Sequence, residues 1–161
     1  MERLRTDTTY VYSDANELVY ERTFQAPREL LWTVLTDPER IPRWWGKRDQ
    51  LTTVVEMDVR VGGRWRFIIR IGDGSDVPFA GEYVEIDRPR FWKQTFAVDL
   101  DGMRDKVGVE TFTLEEVDGG TRLIARSLFG SIEELEDAMA TGMIDGAVES
   151  WDRLAEVLAE R

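Results

Sequence analysis

Apolar and polar residues alternate through the middle of the chain, and apolar residues recur every three or four positions near its two ends. The alternation marks strands with one face buried, and the longer period marks helices. Leu18, Tyr20 and Phe24 share one phase of a first strand over residues 18–24. Pro27 then stands where a helix can begin without losing a hydrogen bond, and Leu30, Leu31, Val34 and Leu35 supply its apolar side. Asp37-Pro38 repeats the start signal for a second short helix that ends near Trp44-Trp45-Gly46.

Six further strands are predicted over residues 52–57, 64–71, 79–86, 91–98, 107–117 and 122–129. The second is the cleanest, with Trp65, Phe67, Ile69 and Ile71 on one face and Arg64, Arg66 and Arg70 on the other. Gly62-Gly63, Asp73-Gly74 and Gly119-Gly120 punctuate the series. Links this short make the sheet antiparallel. Ser131 and Glu134 have capping-box spacing, so a helix should open at Ser131. Its stripe is Ile132, Leu135, Met139, Met143, Ala147, Trp151, Leu154 and Leu158. Unbroken, such a helix would run about 45 Å. Gly142 and Gly146 each weaken it by roughly 1 kcal/mol against Ala, which predicts a break or bend near Gly142.

The expected fold is therefore α+β: a curved antiparallel sheet of about seven strands, two short helices after the first strand, and a long C-terminal helix whose apolar stripe must be buried on one face of that sheet. Residues 1–16 are polar and without periodicity, so they read as a tail or an extra edge strand through Tyr10 to Tyr12, with residues 17–161 as a single domain.

Composition narrows the chemistry. A net charge of −11 and a pI near 4.6 disfavour phosphate backbones and anionic lipid, so neither nucleic acid nor membrane is an expected partner. The chain has no Cys and no His. Thiol and Ser-His-Asp catalysis are thereby excluded, as are thiolate and imidazole metal sites, and acid–base work falls to Asp, Glu, Lys, Tyr or water. Residues 72–76 lack the spacing of a calcium loop, and no Gly-rich phosphate loop is present. No metal and no cofactor are expected. Residues 1–12 have no apolar core of a signal peptide, which makes a cytoplasmic location the expectation.

Several segments, in this order, carry a resemblance: Arg22-Thr23-Phe24-Gln25-Ala26-Pro27, Thr36-Asp37-Pro38, Arg43-Trp44-Trp45-Gly46, residues 57–66, 81–86 and 120–121, Ser127-Leu128-Phe129, and residues 142–154. Together they make the chain resemble the START-like (SRPBCC) superfamily, and within it the homologues of the activator of the heat-shock protein ATPase. Lys47 departs from the Pro that many relatives carry after Trp-Trp-Gly. The resemblance implies the helix-grip fold, seen also in birch-pollen-allergen-like proteins, with a cavity between sheet and C-terminal helix. Its name points to stress response and a chaperone partner. It does not imply co-chaperone activity, because the activator itself carries a further domain for which 161 residues leave no room.

The expected ligand is a small hydrophobic molecule, with the protein a monomer or homodimer. Trp65, Phe67, Phe79, Tyr83, Trp92, Phe96 and Phe112 fall on the concave phase. They either fill the core or leave a space that suits a ligand. Met139, Met143 and Ala147 face it from the helix, as gap-fillers or as pocket wall. One of Trp44 and Trp45 plugs the core and the other lines the pocket mouth; Trp45 is taken as the ligand contact. Gln94 and Ser127 are orientation contacts on inward phases. Glu110 shares a face with Phe112 and Leu114 and is the candidate catalytic group for a metal-independent cyclase, dehydratase or hydrolase. The plainer reading of Glu110 puts it at a sheet end or in an ion pair with Arg66 or Arg126.

Overall fold

The structure is a computed structural model that describes residues 2–3 and 8–160; of the predicted tail, residues 1 and 4–7 lie outside the described residues. The chain runs β1 (Glu2–Arg3), β2 (Tyr10–Asp14), β3 (Glu17–Phe24), α1 (Arg28–Thr36), α2 (Ile41–Trp44), β4 (Leu51–Met57), β5 (Arg64–Arg70), β6 (Asp76–Asp87), β7 (Phe91–Val98), β8 (Gly108–Val117), β9 (Gly120–Leu128), α3 (Ile132–Ala140) and α4 (Met143–Ala159). The fold is α+β, with a curved, unclosed antiparallel sheet and C-terminal helices, as in the helix-grip fold. No helix among the described residues is long and apolar enough to cross a membrane.

The strand order is β1-β2-β3-β9-β8-β7-β6-β5-β4. Strands β4 to β9 form a meander, because each link is too short for a crossover. β3 joins at β9, from Glu17 opposite Leu128 to Phe24 opposite Thr121. The sheet has eight strands of five residues or more and the two-residue β1, against the seven predicted. The added strands are at the N-terminus, where β2 pairs with β3 and places Tyr12 opposite Val19.

α1 buries Leu31, Trp32, Val34 and Leu35. Trp32 meets Trp92 of β7 edge-to-face at 5.4 Å, which docks α1 on the sheet. Asp37 accepts from the Glu39 N–H at 3.0 Å, but Asp37 to Arg40 form a turn and α2 begins only at Ile41. Trp44 is buried and its indole N–H donates to the Val34 carbonyl at 3.2 Å, so it is the Trp of the pair that plugs the core.

The long helix is two helices. Ser131 caps α3, its hydroxyl accepting from the Glu134 N–H at 3.1 Å, and the Glu134 carboxylate accepts from the Gly130 N–H at 3.1 Å. Gly142 has φ +85°, a left-handed conformation that stops α3 and lets α4 start in a new direction. Gly146 stays helical. α4 buries Trp151, Leu154 and Leu158. The Trp151 ring lies 5.8 Å from Tyr20 and 5.9 Å from Phe24, and Arg22 bridges to Asp152 at 2.6 Å, so β3 and α4 are joined by rings and by charge. Ile132, expected in the buried stripe, is the first residue of α3 and is 54% exposed; the burial begins at Leu135.

Candidate functional site

Residues opposite each other on neighbouring strands share a face, so the register shows what meets on the concave side. One row runs Tyr83, Gln94, Glu110, Ser127, Leu18 across β6, β7, β8, β9 and β3. The adjacent row runs Trp92, Phe112, Ala125, Tyr20. The first row holds most of the polar groups and the second is mainly aromatic.

The aromatic walls are built by pairs. Trp92 stacks on Phe112 at 4.3 Å and 16°. Trp45 meets Phe67 at 5.0 Å and Phe79 at 5.3 Å, both edge-to-face, and Trp65 lies 5.0 Å from Phe67. Phe96 meets Phe129 at 5.7 Å. Gly81 stands opposite Trp65, and a Cβ there would fall 2.6 Å from the indole nitrogen and 1.8 Å from the Thr95 carbonyl oxygen. A residue with no side chain is what allows the Trp65 indole to cross the strand and donate to the Thr95 carbonyl at 3.2 Å.

The polar row is ordered by one donor that has no alternative. The Trp92 indole N–H can only donate, and it donates to Gln94 Oε1 at 2.8 Å. The Gln94 amide nitrogen must then point the other way, where it donates to Glu110 Oε1 at 2.9 Å. The Ser127 hydroxyl donates to Glu110 Oε2 at 3.2 Å. Gln94 and Ser127 are themselves buried. Burial pushes the Glu110 carboxyl above its ordinary value, and the two hydrogen bonds offset part of that. Glu110 remains half-buried by surface area although protein surrounds it, because the uncovered part of its surface faces the pocket.

The ion pair expected for Glu110 does not form. Arg66 pairs with Asp99, and Arg126 with Glu17 at 2.9 Å. Residues 66 and 126 carry their charge on the opposite face of their strands, since each is one residue out of phase with the inward positions. Glu110 is also mid-sheet, paired on both sides, instead of at a sheet end.

Tyr20 completes the floor. It is 5% exposed and lines the pocket, and its hydroxyl has no hydrogen-bond partner among the described residues. Burial, and then the negative charge of Glu110, raise its pKa. Sequence reading placed Tyr20 on the inward phase of its strand but not in the site. Only the pairing of β3 with β9 brings it onto the same face as Glu110, with β9 between them.

The helices and the α2–β4 loop cover this floor. Met143, Gly146 and Ala147 of α4 line the pocket. Met139 does not: with Leu135 it packs on the core, while Glu134, Asp137, Ala138 and Thr141 are the α3 residues on the pocket. The break at Gly142 divides the predicted stripe between α3 and α4, so its period is not carried from Met139 to Met143. The loop is held down by α4, where the Ser150 hydroxyl accepts from the Gly46 N–H at 2.8 Å and Arg153 donates to the Gly46 and Lys47 carbonyls at 2.9 and 3.2 Å. The pocket, open at one side, has a volume of about 710 Å³. Its exposed lining residues, among them Leu100, Met103, Lys106, Asp137 and Thr141, mark the rim. Every other predicted contact borders this space: Trp45, Trp65, Phe67, Phe79, Tyr83, Gln94, Phe96, Glu110, Phe112 and Ser127.

A family model described as Activator of Hsp90 ATPase homolog 1-like protein matches residues 25–159. No curated protein matches the chain. Among solved structures, the Ms6760 protein of Mycobacterium smegmatis is 26% identical, with a TM-score of 0.85 over 93% of this chain and 96% of that one. A protein from Arthrobacter aurescens is 24% identical, with a TM-score of 0.86 over 94% and 91%. One from Rhodobacter sphaeroides is 23% identical, with a TM-score of 0.86 over 95% and 99%. The last two likenesses speak for the fold alone.

Proposed function

We propose, for a chain that belongs to the Activator of Hsp90 ATPase homolog 1-like family, that the protein binds a small hydrophobic molecule between the sheet and α4. The observation that carries this reading is the pocket of about 710 Å³, with ring pairs for walls and Gln94, Glu110 and Ser127 gathered in one polar row. Apolar pockets of roughly 300–1,000 Å³ with a few placed polar groups are the common form of a small-molecule site. The rings supply affinity through apolar area, and the row from Gln94 to Ser127 supplies orientation.

A thermal-shift and native mass-spectrometry screen with apolar ring compounds tests it. A ligand at a hundredfold excess over its Kd stabilises the folded state by about 2.7 kcal/mol, or roughly 5–11 °C in Tm for a chain of this size. Ala147→Phe, which puts a ring into the pocket from α4, should abolish the shift and leave the protein folded. Absence of any shift and any bound mass across the screen would sink the reading.

One observation favours a second reading, in which the bound molecule also reacts. Glu110 is a carboxyl without a cationic partner among the described residues, held above its ordinary pKa inside the pocket. That is the state a metal-independent general acid or base needs. Turnover of a bound compound that stops in Glu110→Gln, with binding retained, would support it. A chaperone partner has no comparable observation behind it.

A further inference from the structure

We infer that the ligand of this pocket is an amine: a molecule with an apolar ring-containing body and a protonated amino group that donates to the Glu110 carboxylate. The inference rests on the reading of the pocket as a small-molecule site and adds the chemical class of the molecule.

Two sets of observations converge on Glu110. The first is what holds it. Its Oε1 accepts from Gln94 at 2.9 Å and its Oε2 from Ser127 at 3.2 Å. Both donors are neutral, so they orient the carboxylate without neutralising it, and each oxygen has room for a further donor. The Trp92 indole locks the Gln94 amide in that sense, so the row cannot turn round and offer Glu110 anything else. Arg66 and Arg126 are engaged on the other face. Lys47 and Lys106 are the cationic residues on the pocket lining, and neither pairs with Glu110 among the described residues. A buried charge is normally paired, and here the space in front of it is the pocket.

The second is what flanks it. Residues two apart on a strand share a face, so the polar row has a ring pair on either side. On one side Trp92 and Phe112 stack at 4.3 Å, and on the other Phe96 and Phe129 meet at 5.7 Å. Phe96 stands opposite Gly108, where a Cβ would fall 2.4 Å from its ring, so the ring lies across β8 two residues from Glu110. All four rings line the pocket. An acid set between aromatic rings suits an ammonium, which is drawn by the carboxylate charge and by the negative faces of the rings.

Other head groups complete less. A carboxylate ligand would meet Glu110 and a protein of net charge −11. A ketone or ether has no proton to give the carboxylate. A hydroxyl donates one bond and leaves the charge uncompensated. An ammonium supplies donors and counter-charge together. The fold has already taken Glu110 out of bulk water, so on binding the amine has mainly its own hydration to lose.

Aminomethylpyrene, hydroxymethylpyrene, methylpyrene and pyrenecarboxylate share a fluorescent apolar body and differ in head group. Each is titrated at neutral pH, where the amine is protonated, into the wild type, Glu110→Gln and Asp137→Asn, with affinity read from fluorescence. The wild type should bind aminomethylpyrene about tenfold or more tighter than hydroxymethylpyrene, the ratio for a hydrogen bond between charged groups. In Glu110→Gln that preference should fall to within about twofold, with methylpyrene bound as in the wild type. Asp137→Asn removes an acid at the exposed rim and should keep the preference, so it and the wild-type order decide the matter if Glu110→Gln does not fold. Equal binding of aminomethylpyrene, hydroxymethylpyrene and methylpyrene by the wild type overturns the amine and leaves the apolar pocket standing. A preference that survives in Glu110→Gln, or that is lost in Asp137→Asn, assigns it to charge elsewhere and also overturns it. Tightest binding of pyrenecarboxylate overturns it in favour of an anion. Binding of none of the four removes the pocket reading, and the amine with it.

Discussion

Tyr20→Phe removes one oxygen and keeps the ring, so its contact with Trp151 at 5.8 Å is retained. Removing a hydroxyl from a folded core usually destabilises, because the hydroxyl was making a hydrogen bond. Here the sign should reverse. A buried polar group without a partner costs about 1–3 kcal/mol. The variant should therefore be more stable than the wild type by about 1 kcal/mol, which is roughly 2–4 °C in Tm for a chain of this length. Thr121→Val is the control. It also deletes one buried hydroxyl, but that hydroxyl donates to the Ala26 carbonyl at 2.8 Å. Its loss leaves a buried carbonyl unpaired and should lower stability by about 1 kcal/mol or more. The assay is thermal unfolding by circular dichroism, checked by urea denaturation at 25 °C with the same m-value required of all three proteins. If Tyr20→Phe is less stable than the wild type by as much as Thr121→Val, the Tyr20 hydroxyl has a partner in solution, and the reasoning about its unmet bonding is refuted.

Two further outcomes follow from the site and the helix break. Burial raises the Glu110 carboxyl above 4.5, so the native state holds that proton to higher pH than the unfolded chain does, and stability falls as pH rises through that window. Glu110→Gln, whose amide keeps the bond from Gln94 and can donate to a turned Ser127 hydroxyl, escapes this loss; its stability relative to wild type should rise between about pH 4 and pH 7 in urea denaturation, and an unchanged difference would remove the desolvation argument. Gly142→Ala meets no atom within 4 Å but must hold φ +85°, so it should destabilise by about 1–2 kcal/mol, whereas an increase in stability would mean that α3 and α4 merge into one rod.

The elements and their buried faces were legible in the amino-acid order because they are set by near neighbours. Alternation at Trp65, Phe67 and Ile69 puts those three side chains on one face whatever lies across from them, and all three are buried. The cap at Ser131 and the break at Gly142 are likewise local, the first a hydroxyl within reach of an N–H three residues on, the second a backbone angle that only glycine takes without strain. What surrounds Glu110 was not local. Its partners come from strands 16 and 17 residues away, and Tyr20 shares its face only because β3 pairs with β9. Reading along one strand shows that Glu110 points inward; it does not show that Arg66 and Arg126 point outward to Asp99 and Glu17 and leave the carboxylate to Gln94 and Ser127. Met139 packs on the core and does not line the pocket, since a stripe is continuous only as long as the helix is, and the helix stops at Gly142 between Met139 and Met143. The period of a side chain is a property of its own segment, whereas its partner is a property of the register between segments, and the register exists only once the sheet has closed on the helices.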